Sequence, residues 1–189
     1  LPLAYLYVFV VFSLVHYDPS AALGTSTFLI NYLTGYMSDG LNNHFWSLCV
    51  EVQFYCAIGL AVWVGGKKAL WSVIPACLAV TAIRVHQGTF IAIQTHLRVD
   101  EILVGGIVAI LYRTVRPYRC PGWVIILAAV AWFATANPYA LWGQYFRPYA
   151  TASLLAAVLW QSETWIIRIL EIRLLRYIGA ISYALYVIH

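Results

Sequence analysis

Hydrophobic residues fill most of this chain in long blocks, and the polar residues gather between those blocks instead of alternating with them. Blocks of this kind predict helices that cross a bilayer, for which about 20 apolar residues suffice. Residues 3–15 are continuously apolar, with Pro2 suited to a first helical turn, and His16, Tyr17, Asp18 and Pro19 end the run. Residues 27–37 are apolar but too short to cross, which predicts a re-entrant or interfacial segment. A loop over 38–43 leads into a longer apolar run from His44 to about Gly65. After a basic turn at Lys67 and Lys68, residues 69–83 return across the membrane, and 84–97 read as a mixed polar and apolar loop. Further spans are predicted over 99–112, 122–136 and 149–161, separated by an arginine-rich loop with Pro117 and Pro121 and by a loop over 137–148. Residues 162–176 alternate apolar and charged positions at helical spacing, the pattern of an amphipathic helix on a membrane surface, and 177–189 begin a last span. The expected class is all-α: a polytopic integral membrane helical bundle of about six to seven spans plus one short re-entrant or interfacial segment, forming a single domain over 1–189.

Composition agrees with the pattern. The chain is 63% hydrophobic and 10% charged, far from the balance of a soluble domain. Leu1 is not a start residue and the final apolar segment is too short to span, so the chain is expected to be a piece of a longer protein. The four cysteines show no metal spacing and no disulfide framework, and packing is their expected role, with Cys49 and Cys56 on one helix face. The net charge of +4 reports topology and not nucleic acid.

The residue that asks for an explanation is Glu51, inside the first turns of an apolar helix. An acidic residue at the centre of a membrane helix costs roughly 2.5 to 3.5 kcal/mol, so it needs a partner, a wet cavity or a task. At 100° per residue His44, Ser47, Glu51 and Tyr55 fall on one stripe.

Orientation follows from the basic residues. One set of loops holds Lys67, Lys68, Arg113, Arg116, Arg119, Arg168, Arg173 and Arg176; the other holds Arg84, Arg98 and Arg147, which completes the eleven. The positive-inside rule puts the first set in the cytoplasm. Tryptophans at 63, 71, 123 and 160 then lie near the inner boundary, and Trp46, Trp142 and Tyr145 near the outer one. His44, Trp46 and Glu51, the cluster Arg98, Asp100 and Glu101, and His189 at about 20 Å beyond Arg176 all reach the outer half of the bilayer. A pocket open to the outside is expected there.

The stretch HFWSLCVEVQFY, residues 44–55, resembles the H-x-W-S-L-x-V-E-x-Q-F-Y signature of the acyltransferase 3 family, polytopic enzymes that O-acylate sugars of cell-surface polysaccharides and glycolipids. RVDEILVGGIVA, residues 98–109, is similar to that family's R-x-D-x-x-x-x-G-x-x-x-A helix, and YIGAISYALYVIH, residues 177–189, to its late I-S-Y-x-L-Y-x-x-H span. FLINYLTGYM ahead of the first block resembles the segment the family has there. Val52 stands where members often carry a second acid, and the family's first helices, with the histidine usually taken as catalytic base, are not in this sequence.

The resemblance implies transfer of an acyl group, commonly acetyl, from acyl-CoA to a hydroxyl of a sugar or glycolipid, in a bacterial inner membrane and with no bound cofactor. It implies catalytic roles for Glu51, His44 and Arg98, the first two orienting or polarising the reacting groups and the arginine balancing charge. Trp46, Ser47, Tyr55, Asp100, Glu101, Tyr183, Tyr186 and His189 are the implied substrate-binding set, and no metal is implied. The expected partners are the lipid bilayer, acyl-CoA and the acceptor, with no nucleic acid and an open oligomeric state.

Each assignment has a plainer counterpart. Glu51 would also serve as a hydrogen-bonded or ion-paired strut between helices, and Arg98 with Asp100 or Glu101 as a structural pair at a helix start. Gly105 and Ala109 form a small-xxx-small pair of the kind that lets helices approach closely. The rival function is a transporter or flippase for a lipid or sugar, which uses intramembrane charges as a substrate path.

Overall fold

In the computed structural model the described residues are Tyr5, Leu6, Val10, 18–37, 44–114, 121–137, 139, 141–160, Arg168 and 171–188, with side chains described to Ser182. Among them there is no strand, and the chain is all-helical. Among the described residues there are seven α-helices: α1 (Pro19–Ser26), α2 (Phe45–Gly65), α3 (Val73–Gln87), α4 (Asp100–Thr114), α5 (Gly122–Ala136), α6 (Gly143–Leu159) and α7 (Arg173–Ile188). Short 3-10 turns lie at Thr34–Tyr36, Gly66–Ser72 and Thr95–Leu97. Two compact units result, one of residues 1–53, 93–95 and 167–189, the other of 54–92 and 96–166. The division falls inside α2, after Gln53.

In the first unit, α1 starts where the side chain of Asp18 accepts from the Ser20 N–H at 2.8 Å and Pro19 occupies the first turn. The sequence pattern gave this stretch no helix, because eight residues with three hydroxyls show no apolar period. The hydroxyls of Thr25 and Ser26, with that of the capping Thr27, turn back onto carbonyls four residues earlier and close the helix end. Residues 27–37, expected as a short membrane segment, instead form successive turns and one 3-10 turn.

Phe28, Ile30, Phe45, Leu48 and Cys49 make the core of this unit. Phe45, Leu48 and Cys49 are spaced i, i+3, i+4, and Val50 is buried as well, so the opening turns of α2 are enclosed on most sides, with His44, Ser47 and Glu51 half-buried and Tyr55 exposed. Phe28 has φ 57, a left-handed conformation that a large side chain rarely adopts. Its carbonyl accepts from Gln53 Nε2 at 2.6 Å, and the same amide donates to Asn31 Oδ1 at 3.1 Å. Asn31, fully buried, donates to the Ile93 carbonyl at 3.3 Å and to Thr95 Oγ1 at 2.8 Å, while the Thr95 hydroxyl donates to Gln53 Oε1. A closed ring of neutral polar groups thus ties α2 to two irregular segments.

In the second unit α6 packs along α5 and α4, and α3 packs along α4. The core is Val73, Cys77, Leu103 and Val104, with Phe54, Ile58, Ile107, Ile110 and Tyr149 against it. Boundaries differ from expectation at three places. α3 runs on to Gln87 through residues read as loop, and Gly88, φ 64, ends it: the Gly88 N–H bonds to Val85 O and the Thr89 N–H to Arg84 O, the paired bonds of a glycine-terminated helix. α6 begins at Gly143, inside the expected loop, and carries Pro148 within it. α7 starts at Arg173 and runs through the expected break at 176. Most of the expected amphipathic helix over 162–176 and most of the first span over 3–15 lie outside the described residues.

Cys49 and Cys77 are buried, as packing requires, but Cys56 is exposed. Among the described residues the helical run Phe45–Gln87, 43 residues with a mean hydropathy of 1.7 in its apolar window, is long and apolar enough to cross a membrane. α2 alone, at 21 residues, is about 31 Å long.

Replacing Gln53 by Leu would leave the Phe28 carbonyl, Asn31 and Thr95 without a shared partner. The expected loss is about 2 to 4 kcal/mol, given about 1 to 3 kcal/mol for each buried polar group left unsatisfied, measured as a lowered unfolding midpoint in detergent. An unchanged midpoint would mean that the ring does not hold the unit together.

Candidate functional site

The second block of the sequence opens α4, and the structure builds a charge cluster around it. Asp100 is fully buried at the first position of the helix and meets Arg84 of α3, whose Nη1 donates to Asp100 Oδ2 at 2.5 Å. Arg84 is itself fully buried. Its Nη2 donates to the Phe90 carbonyl at 2.9 Å and to the Gln144 carbonyl at 3.4 Å. The last contact has a covalent cause. Pro148 lacks the N–H that would have bonded to the Gln144 carbonyl four residues back, and the arginine supplies a donor in its place. The Arg84 guanidinium also lies 5.5 Å from the centroid of the Tyr145 ring, and the Tyr145 hydroxyl donates to the Arg84 carbonyl at 3.4 Å. Among the described residues the buried Arg84 Nε has no hydrogen-bond partner.

Glu101, the next residue, serves two arginines. Its Oε1 lies 3.1 Å from Arg98 Nη2, one helical turn back, and 2.7 Å from Arg147 Nη2 of α6. Burial lowers the pKa of the Arg98 guanidinium from its ordinary value; the charge of Glu101 opposes the shift, and Arg147 and Arg84 add to it. Arg84, Arg98 and Arg147 are the three basic residues that the sequence assigned to the outer side, and all three join this one cluster. Arg98 was expected to pair with Asp100 or Glu101, and Glu101 is its partner, Asp100 being taken by Arg84. Arg84 was missed because its neighbours His86 and Gln87 look like loop; Gly88 was the available signal that a helix continued to that point.

Two cavities flank α4. One, of about 240 Å³, is lined by Glu101, Arg147, Thr151, Pro148, Trp132 and Ala136. The other, of about 260 Å³, is lined by Phe54, Ile58, Leu70, Val73, Gly106, Ala109, Ile110 and Arg113, apolar but for the arginine. Gly106 is the glycine that a neighbour approaches, since an added Cβ would come 3.4 Å from Val73 Cγ1, whereas one at Gly105 would meet nothing within 4 Å. Close approach therefore belongs to Gly106 and not to the expected pair of Gly105 and Ala109. A short polar chain braces α3 against α6: Thr81 and Tyr149 share a hydrogen bond at 2.7 Å, and the Cys77 thiol lies 3.6 Å from the Tyr149 hydroxyl.

His44, Trp46, Ser47 and Glu51 belong to the first unit, all half-buried on the opening turns of α2. His44 stacks on Phe45 at 4.7 Å between ring centroids. Tyr55 is exposed, and Tyr145, expected at an interface, is buried with Phe90 5.1 Å away. The side chains of Tyr183, Tyr186 and His189 lie outside the described residues. No family model, no curated protein and no solved structure matches the chain.

Breaking the buried pair has a calculable consequence. Asp100→Ala is expected to destabilise the protein by about 3 to 5 kcal/mol, because it strands a buried guanidinium. Adding Arg84→Met should recover only part of that, since the Phe90 and Gln144 carbonyls then lose their donor. Full recovery in the double variant, read from unfolding midpoints, would mean that those two carbonyls do not depend on Arg84.

Proposed function

We propose that this chain is a polytopic membrane O-acyltransferase, moving an acyl group, commonly acetyl, from cytoplasmic acyl-CoA to a hydroxyl of a cell-surface sugar or glycolipid. The observation that carries the reading is the pair of unlike cavities on α4. At its start is a polar cavity with a carboxylate and a guanidinium, suited to a hydroxylated acceptor; toward its end is an apolar cavity edged by Arg113, suited to an acyl chain with an anionic carrier. Glu101 and Arg113 are separated by about 18 Å along the helix. With the basic loops in the cytoplasm, the apolar cavity belongs to the donor side and the polar one to the acceptor side.

The outer surface supports a bilayer setting. Trp63, Phe133 and Ile126 are 82%, 70% and 66% exposed, alongside Val64, Leu127 and Val130. Apolar side chains in such continuous faces are costly in water and ordinary in lipid. The expected six to seven spans and the inner-membrane location belong to this proposal.

The chemistry asked of the chain is addition of an alcohol oxygen to a thioester carbonyl. The C–O bond forms as the C–S bond breaks, the hydroxyl proton passes to a base, and CoA leaves as the thiolate. Donors that stabilise the carbonyl oxygen as it gains charge provide most of such catalysis, and a base provides a further 10² to 10⁴ or so. Glu51 and His44 are assigned to orient and polarise the reacting hydroxyl, and Arg98 to hold Glu101 in place while balancing its charge. The three sequence blocks support those assignments.

The test is the acetyl-ester content of surface polysaccharides, by mass spectrometry, in cells with the gene, without it, and with Glu51→Gln at matched protein level. Esters are expected to disappear in both defective strains. Esters that persist in both, with a lipid or sugar accumulating on the inner face, would replace acyl transfer by transport.

A further inference from the structure

The polar side chains around the cavity of about 240 Å³ have atoms that their mutual contacts do not use. Glu101 meets both Arg98 and Arg147 through one carboxylate oxygen, Oε1, and its Oε2 takes part in neither contact. Arg147 gives Nη2 to Glu101, and its Nη1 and Nε stand outside that bond. The Thr151 hydroxyl donates its proton to the Arg147 carbonyl at 2.9 Å, so its oxygen is left as an acceptor. The side chains of Glu101 and Arg147 are 32% and 30% exposed, which keeps them within reach of a ligand. The remaining lining is apolar: Trp132, Ala136 and Pro148. Phe133 packs edge-on against the Trp132 ring, with centroids 5.0 Å apart, and restricts how that ring can turn.

Donors and acceptors side by side select a ligand whose groups can do both. A hydroxyl donates one hydrogen bond and accepts others, whereas an ionised carboxylate only accepts and offers Glu101 and Thr151 nothing, and an ammonium only donates and offers Arg147 nothing. Two neighbouring hydroxyls on one ring meet the whole set. One donates to Glu101 while it accepts from Arg147, and the other donates to Thr151. The fixed fork of a guanidinium matches two oxygens held next to each other. The C–H face of such a ring packs on an indole, as the apolar lining requires. The volume is below the roughly 300 to 1,000 Å³ of sites for drug-sized ligands, which suits one ring and not an oligosaccharide.

We propose that this cavity grips one uncharged sugar ring of the acceptor, by adjacent hydroxyls at Glu101, Arg147 and Thr151 and by one C–H face on Trp132. The inference rests on the acyltransferase reading and names the part of the acceptor that the chain recognises. Trp132 and Thr151 are its specificity-determining residues.

The experiment is titration of the full-length protein in nanodiscs, followed by saturation-transfer NMR, with methyl β-glucoside as the probe. Glycerol supplies the hydroxyl pair without a ring, cyclohexanol the ring without the pair, and methyl β-glucuronide the ring with a carboxylate. The glucoside is expected to bind at least about tenfold more tightly than glycerol or cyclohexanol, and at least as tightly as the glucuronide. Irradiating the aromatic protons should saturate the hydrogens of one ring face over those of the other. Trp132→Ala should abolish that face preference and weaken the glucoside, Trp132→Phe should keep part of both, and Thr151→Val should weaken the glucoside about threefold and leave cyclohexanol unchanged. Glycerol or cyclohexanol as tight as the glucoside, a tighter glucuronide, equal saturation of both faces, no binding at all, or a face preference that survives Trp132→Ala in a monodisperse protein would each overturn the proposal. Binding is read without turnover, so the two readings fail separately. Selective binding in a protein whose loss leaves every acyl ester in place would sink acyl transfer, whereas ester loss without selective binding would sink only the ring site.

Discussion

The second unit depends on a single buried contact, the ion pair of Arg84 and Asp100. Two charges withdrawn from solvent are costly, and they persist because the remaining donors are used: Arg84 also serves the Phe90 carbonyl and the Gln144 carbonyl that Pro148 leaves without an N–H. One side chain on α3 thereby fixes the start of α4, the loop after Gly88 and the first turns of α6. The position of Glu101 follows from that of Asp100, since the two are neighbours at the head of the same helix. Arg147, one residue before the proline, is brought to Glu101 by the same arrangement.

The first unit is held differently, by uncharged groups. Gln53, Asn31 and Thr95 satisfy one another and two backbone carbonyls, and they keep Phe28 in a left-handed conformation that it would otherwise leave. Glu51 and Gln53, two residues apart, lie on opposite faces of the same helix, so the helix that carries the proposed reacting groups is anchored from its far side by Gln53. Rigid anchoring of the helix that bears it is what the orienting role proposed for Glu51 requires.

Much of this was legible in the sequence where apolar length alone decides the element. α5 has the expected bounds, Gly122–Ala136, and α4 begins and ends within two residues of expectation. Legibility failed where a polar residue is buried by a partner distant in sequence. Arg84 reads as a loop residue until Asp100 is seen to neutralise it, and Pro148 reads as a loop residue until Arg84 is seen to take its lost hydrogen bond. α1 was invisible for another reason, being too short and too rich in hydroxyls to show a period. Of the candidate site, the cluster at Arg98, Asp100 and Glu101 was readable as a group, but its partners Arg84 and Arg147 were known only as basic residues on the same side. That shared side was the clue: opposite charges in a low-dielectric setting gather.

In the proposed topology α4 joins two cavities that open to opposite sides of a membrane, an apolar one toward the cytoplasm and an ionic one toward the outside. Single-cysteine accessibility tests it most directly. In a protein whose native cysteines have been replaced, Thr151→Cys and Ala109→Cys each put one thiol into the lining of one cavity. A membrane-impermeant maleimide added to intact cells should modify position 151 at once, and position 109 only after the membrane is permeabilised. Modification of both positions from the same side would contradict the account.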